Sequence, residues 1–181
     1  MAHEPLHPTF DFSDKAQGYA QLASSLASLL DGERNLVANL ANTAALIYHA
    51  LPDLNWAGFY LMGPRAEGHA PAGADAQELI LGPFQGKTAC VRIAIGKGVC
   101  GTAAATRETQ LVRDVHAFPG HIACDSASNS EIVIPMIFAG GPRHGELLGV
   151  LDLDSPLLGR FDEEDQRGLE TLIKIVMQSI E

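Results

Sequence analysis

The sequence has no uninterrupted apolar run of 18 residues or more, so no membrane-spanning helix is expected. Its first residues, Met1-Ala2-His3-Glu4-Pro5-Leu6, lack the basic stretch and apolar run of a secretory signal. It also lacks a Lys/Arg cluster. With 12 basic against 22 acidic residues the formal net charge is −10, which repels a phosphate backbone and argues against nucleic-acid binding. Cysteine is scarce and odd in number: Cys90, Cys100 and Cys124, with nine and then 23 residues between them. No C-x2-4-C pair exists, so no structural zinc site is expected even with His116 and His121 nearby. A stable disulfide framework is also disfavoured, because a domain of this length buries roughly 70% of its unfolded surface without staples. The expected setting is the cytoplasm, where thiols are kept reduced and an odd set fits redox or catalytic use.

The 181 residues suit a single domain, residues 13–181, preceded by a His- and Pro-rich arm over residues 1–12. Helical spacing of Tyr19, Leu22, Leu26, Leu29 and Leu30 predicts a first helix from about Ser13 to Leu30. Leu36, Leu40, Ala44, Ile47 and Leu51 predict a second, set off by Asp31-Gly32. Strands are predicted over Leu54–Met62, Glu78–Phe84, Ala89–Ile95, Gln110–Arg113, Ile132–Phe138 and Glu146–Leu153. Gly63–Gln77 reads as a hairpin loop and Gly101–Thr106 as a short helix. Asp162, Glu163, Glu164 and Asp165 put negative charge on the first turn of a last helix, where the dipole favours it. Strands joined by short turns between helices imply an α+β fold with a central antiparallel sheet.

The thiols carry the chemistry. A thiolate is the nucleophile, and it needs positive potential and solvent access. Cys100 follows Gly98-Val99 at a helix start, Cys124 lies in a loop after His121, and Cys90 reads as mid-strand and core-like. Two thiols on flexible segments can form a disulfide once one is oxidised to sulfenic acid. Asp152 and Asp154, two apart on a strand, face one side, and Glu131 starts a strand near Cys124. Converging carboxylates suit an ammonium group, and one held protonated can donate to a polar oxygen. The alternative is that the two aspartates mark an exposed strand end and cap the Ser155-Pro156 turn. Trp56 and Tyr60 share a strand face as aromatic walls, or equally as core residues.

Taken together, the segments Asn55–Tyr60, Gly96–Gly101, Asp114–Asp125, Ser128–Val133 and Gly149–Ser155 resemble the free methionine-(R)-sulfoxide reductases, which are GAF-domain proteins. The resemblance runs from about Tyr19 into the last helix. The loops at Gly63–Gln77 and Ala139–Gly145 look longer than in typical members. It implies a GAF-like sheet of about six strands flanked by helices, and reduction of free methionine (R)-sulfoxide. It implies Cys124 as the attacking thiol, with Cys90 or Cys100 as resolving thiol and thioredoxin as reductant. Glu131, Asp152 and Asp154 match the pocket carboxylates, and Trp56 and Tyr60 the aromatics on the methyl side. No metal or organic cofactor is implied, and a homodimer is. Two rival readings have the same fold: a GAF module that senses a small ligand such as a cyclic nucleotide, and a thiol redox sensor without turnover.

Overall fold

A computed structural model describes residues 9–65, 77–121 and 126–180. Helices α1 (Lys15–Leu30) and α2 (Leu36–Ala50) open the chain. Asp14 caps α1 by accepting from the Gln17 amide at 3.0 Å, and Asn35 caps α2 through the Ala38 amide. Strands β1 (Trp56–Pro64), β2 (Gln77–Gly86) and β3 (Arg92–Ala94) follow, then helix α3 (Gly98–Thr106) and strand β4 (Gln110–Val112). The chain ends with β5 (Ser130–Ile137), β6 (Leu147–Ser155) and α4 (Glu163–Ile180). The six strands form one antiparallel sheet in the order β3-β2-β1-β6-β5-β4. No helix of the described residues is long and apolar enough to cross a membrane.

Strand alternation sorts side chains onto two faces. Ala57, Phe59, Ile132, Ile134, Leu151 and Leu153 point to one face and form the main core with α1, α2 and α4. Trp56, Tyr60, Val133 and Val150 point to the other, where α3 supplies Val99, Cys100, Ala103 and Ala104. Three helices therefore seal one face, while the single short α3 covers only part of the other and leaves a pocket beside it. Gly168 of α4 lets α1 approach, since a Cβ there would lie 2.2 Å from the Tyr19 ring.

Four sequence expectations shift. The strand predicted over Ala89–Ile95 pairs only from Arg92 to Ala94, so Cys90 lies in the connection before β3 and is not mid-strand. Its peptide turns inward instead, and the Cys90 carbonyl accepts from the Tyr60 hydroxyl at 3.1 Å. Helix α3 starts at Gly98 and not Gly101, which places Cys100 inside its first turn. The predicted hairpin loop loses its ends to β1 and β2, and its residues 66–76 lie outside the described residues. In the stretch expected as an arm, Phe10 and Phe12 pack against the main core, with Phe12 edge-on to Tyr19 at 5.2 Å.

Candidate active site

Register builds the pocket. Across β1, β6 and β5, Trp56 pairs with Asp154 and Asp154 with Glu131. The adjacent row on the same face pairs Gly58 with Asp152 and Asp152 with Val133. Gly58 leaves space for an aromatic wall, because a Cβ there would sit 2.3 Å from Phe84 Cβ and 2.6 Å from the Trp56 ring. Trp56 accordingly stacks between Phe84 (5.4 Å) and Tyr60 (5.9 Å). The Trp56 indole donates to the Lys87 carbonyl at 3.1 Å, which fixes its ring plane. Trp56 and Tyr60 are thus both pocket wall and buried core, the two roles left open by the sequence.

Trp56, Tyr60, Cys100, Glu131, Asp152 and Asp154 all line one cleft, joined by His121 and Ser128. Cys124 lies outside the described residues, but the chain on either side of residues 122–125 meets the cleft at His121 and Ser128. Ser128 accepts from Asn55 Nδ2 at 3.0 Å, and Asn129 donates to the Pro156 carbonyl at 2.7 Å. Ser130 Oγ donates to the Leu157 carbonyl at 2.6 Å. These bonds give the Ser128-Asn129-Ser130 run a physical role: they stitch the end of that loop to the end of β6. Sequence reasoning quoted Asn55 and Ser128 only within the resembling segments and gave Phe84 no part in the site. The signal for Phe84 was its pairing opposite Gly58, which only the register exposes.

Asp152 is 6% exposed and Glu131 equally buried, so the exposed strand-end reading of Asp152 fails. Oδ1 of Asp152 has no hydrogen-bond partner among the described residues, an acceptor aimed into the cleft. Cys100 Sγ lies 3.9 Å from Glu131 Oε1, and His121 Nε2 lies 3.6 Å from Glu131 Oε2. Burial, then the nearby Asp154 charge, raises the Glu131 carboxyl well above its usual range. Burial, then Glu131, does the same to Asp152. Burial, then Asp152 and Glu131, pushes the Cys100 thiol up as well. The helix start that promised an activated Cys100 is therefore overridden: the two carboxylates hold it as a thiol. Burial lowers His121, keeping its imidazole neutral at neutral pH. Cys90 is disulfide-bonded, while Cys100 is a free buried thiol.

The cleft thus combines an aromatic wall, a cluster of acids and a proton held at Glu131 or Asp152. It can take a cation and give up a proton. One consequence concerns stability. Asp152 has a folded pKa above its unfolded value, so its ionisation opposes folding progressively as pH rises above the unfolded range near 4. An Asp152→Asn variant, free of ligand, should melt at least as high as the parent at pH 8, with the difference vanishing toward pH 4. Thermal melts at both pH values check this, and a lower melting point at pH 8 would contradict it.

The GAF domain model matches residues 19–180. The chain is 49% identical over 160 residues to the free methionine-R-sulfoxide reductase of Escherichia coli strain K12, covering 88% of this chain and 87% of that one. It is 46% identical over 170 residues to the protein of the same name from Saccharomyces cerevisiae, covering 92% and 87%. The solved free methionine-R-sulfoxide reductase from Neisseria meningitidis, in complex with its substrate, superposes with a TM-score of 0.81 at 42% identity, covering 97% of this chain and 96% of that one. The expected six-stranded GAF-like fold is thereby established, and the chain belongs to the GAF-domain family, among the free methionine-R-sulfoxide reductases.

Proposed function

We propose that the protein reduces free methionine (R)-sulfoxide to methionine through thiol chemistry. The observation that carries this reading is the buried acid cluster of Glu131 and Asp152 beside Asp154, against an aromatic wall, with Asp152 Oδ1 unpartnered among the described residues. Its negative field suits the ammonium of a free amino acid, which a residue inside a protein lacks. The Trp56–Tyr60 wall suits the sulfoxide methyl.

In this reading the Cys124 thiolate attacks the sulfoxide sulfur while the buried acid protonates the oxygen. The S–O bond to the substrate breaks, methionine leaves, and Cys124 carries the oxygen as sulfenic acid. A resolving thiol then displaces that oxygen as water and forms a disulfide. The disulfide state of Cys90 and the buried, proton-bearing state of Cys100 support Cys90 in that role. Thioredoxin returns both sulfurs to thiols, with no metal or organic cofactor and in the reducing cytoplasm. The same resemblance carries homodimerisation, which sedimentation checks.

The test is turnover of the R epimer by purified protein with thioredoxin, its reductase and NADPH. Absence of NADPH consumption with that substrate would sink the reading in favour of a ligand-sensing module or a non-catalytic redox sensor. Cys90→Ser should release one equivalent of methionine per chain and then stop. Continued thioredoxin-coupled turnover by Cys90→Ser would move the resolving role to Cys100.

A further inference from the structure

One donor atom each from Cys100, Glu131 and Asp152 lies within 4.8 Å of the others. The three come from α3, β5 and β6, so chain spacing could not reveal the cluster; the fold gathers what the sequence separates. Around one zinc-sized ion, sulfur at about 2.3 Å and oxygen at about 2.0–2.2 Å sit roughly 3–4 Å apart, within a small side-chain adjustment of the observed spread. His121 Nε2 lies 3.6 Å from Glu131 Oε2, beside this set and outside its 4.8 Å span. The independent sign of a missing ligand is Oδ1 of Asp152, buried and without a hydrogen-bond partner among the described residues.

We infer that this cleft binds a thiophilic divalent cation of the zinc class through Cys100, Glu131 and Asp152, and that the ion excludes the substrate's ammonium. The ion is an inhibitor and not a cofactor, since it occupies the cation position of the substrate. A thiolate donor selects zinc-like ions, whereas magnesium and calcium require six or more oxygens. On binding, the Cys100 S–H and any carboxyl O–H are replaced by bonds to the metal, and those protons pass to solvent. The remaining titratable groups lining the cleft are Tyr60 of β1, Asp154 of β6 and Lys97 at the start of α3. Asp154 adds attraction for a cation, while Lys97 is exposed to water.

The exclusion of substrate rests on the proposed function, but metal binding itself does not. The probe is Cd2+, whose thiolate complexes absorb in the ultraviolet. The full-length Cys90→Ser/Cys124→Ser protein retains Cys100 as its one cysteine. One Cd2+ per chain, a thiolate–cadmium band, proton release and displacement by Zn2+ but not Mg2+ are expected. Adding Cys100→Ser should remove the band, and Asp152→Asn, in the otherwise unaltered protein, should weaken binding about tenfold or more. Free methionine, which needs no turnover, should raise the apparent Kd. No band, a band that survives Cys100→Ser, or unchanged affinity in Asp152→Asn overturns the site, provided the melts match the parent. Methionine without effect on Kd overturns the exclusion. Cd2+ binding in a protein that fails to turn over the sulfoxide would sink the proposed reaction and leave the metal site standing.

Discussion

A Cys124→Ser variant should release no methionine from the R-sulfoxide even in a single turnover, and Glu131→Gln should release it about 10²–10⁴-fold more slowly than the parent. The two losses have different causes. Serine removes the nucleophile, and no neighbouring thiol replaces it: Cys100 is buried and held as a thiol by Asp152 and Glu131. Glutamine keeps the shape and hydrogen-bonding reach of Glu131 but has no acidic proton to give. The pH dependence separates an acid from a merely structural carboxylate. Burial, then the Asp154 charge, raises Glu131, so its acid form persists above the usual carboxylate range. Single-turnover rates should fall as pH rises through that raised value, and the same limb should be absent in Glu131→Gln. If Glu131→Gln matches the parent rate and keeps the limb, the proton belongs to Asp152.

How much of this site was legible follows from the range over which each signal acts. Alternation along one strand is local, so the shared faces of Asp152 with Asp154, and of Trp56 with Tyr60, could be read directly. The row Trp56–Asp154–Glu131 pairs residues 98 and 23 positions apart in sequence and depends on register, which no local pattern specifies. Cys90 shows the limit of an apolar run: Ala89–Ile95 has strand composition, yet the ladder with β2 reaches only Arg92–Ala94. Cys100 shows the limit of a helix-start argument. A fractional positive charge at a helix end competes poorly with burial and then with two carboxyl groups delivered by other strands. The metal-like triad is invisible for the same reason. The helices were easier, because the apolar spacing that predicts them, such as Tyr19, Leu22 and Leu26 in α1, is sequence-local.

Asp165→Ala should be the most destabilising single change outside the cleft, at about 3–5 kcal/mol, because it strips the acid from a buried charge cluster. Asp165 is fully buried on the first turn of α4. Its Oδ2 accepts from Lys15 Nζ at 2.6 Å and its Oδ1 from the Tyr19 hydroxyl at 2.8 Å, both on α1. Arg160 Nη1 reaches both oxygens at 3.3 Å. With Asp162 it also forms a reciprocal cap: Asp165 Oδ2 accepts the Asp162 amide at 3.0 Å, and Asp162 Oδ1 the Asp165 amide at 3.1 Å. One side chain therefore starts α4 and ties it to α1 across the helical layer. Alanine leaves the Arg160 guanidinium, 9% exposed, and the Tyr19 hydroxyl buried without their acceptor. For a domain of this length that loss corresponds to a fall in Tm of about 6–20 °C. Tyr19→Phe, which removes a neutral donor and leaves Lys15 and Arg160 paired, should cost only about 1 kcal/mol. Urea unfolding of both variants and of the double variant separates the terms. The double variant should be less destabilised than the sum of the singles, since Asp165→Ala has already orphaned the hydroxyl. Strict additivity would mean that Tyr19 and Asp165 act independently, and that Asp165 ties α4 to α1 through Lys15 and not through the Tyr19 hydroxyl.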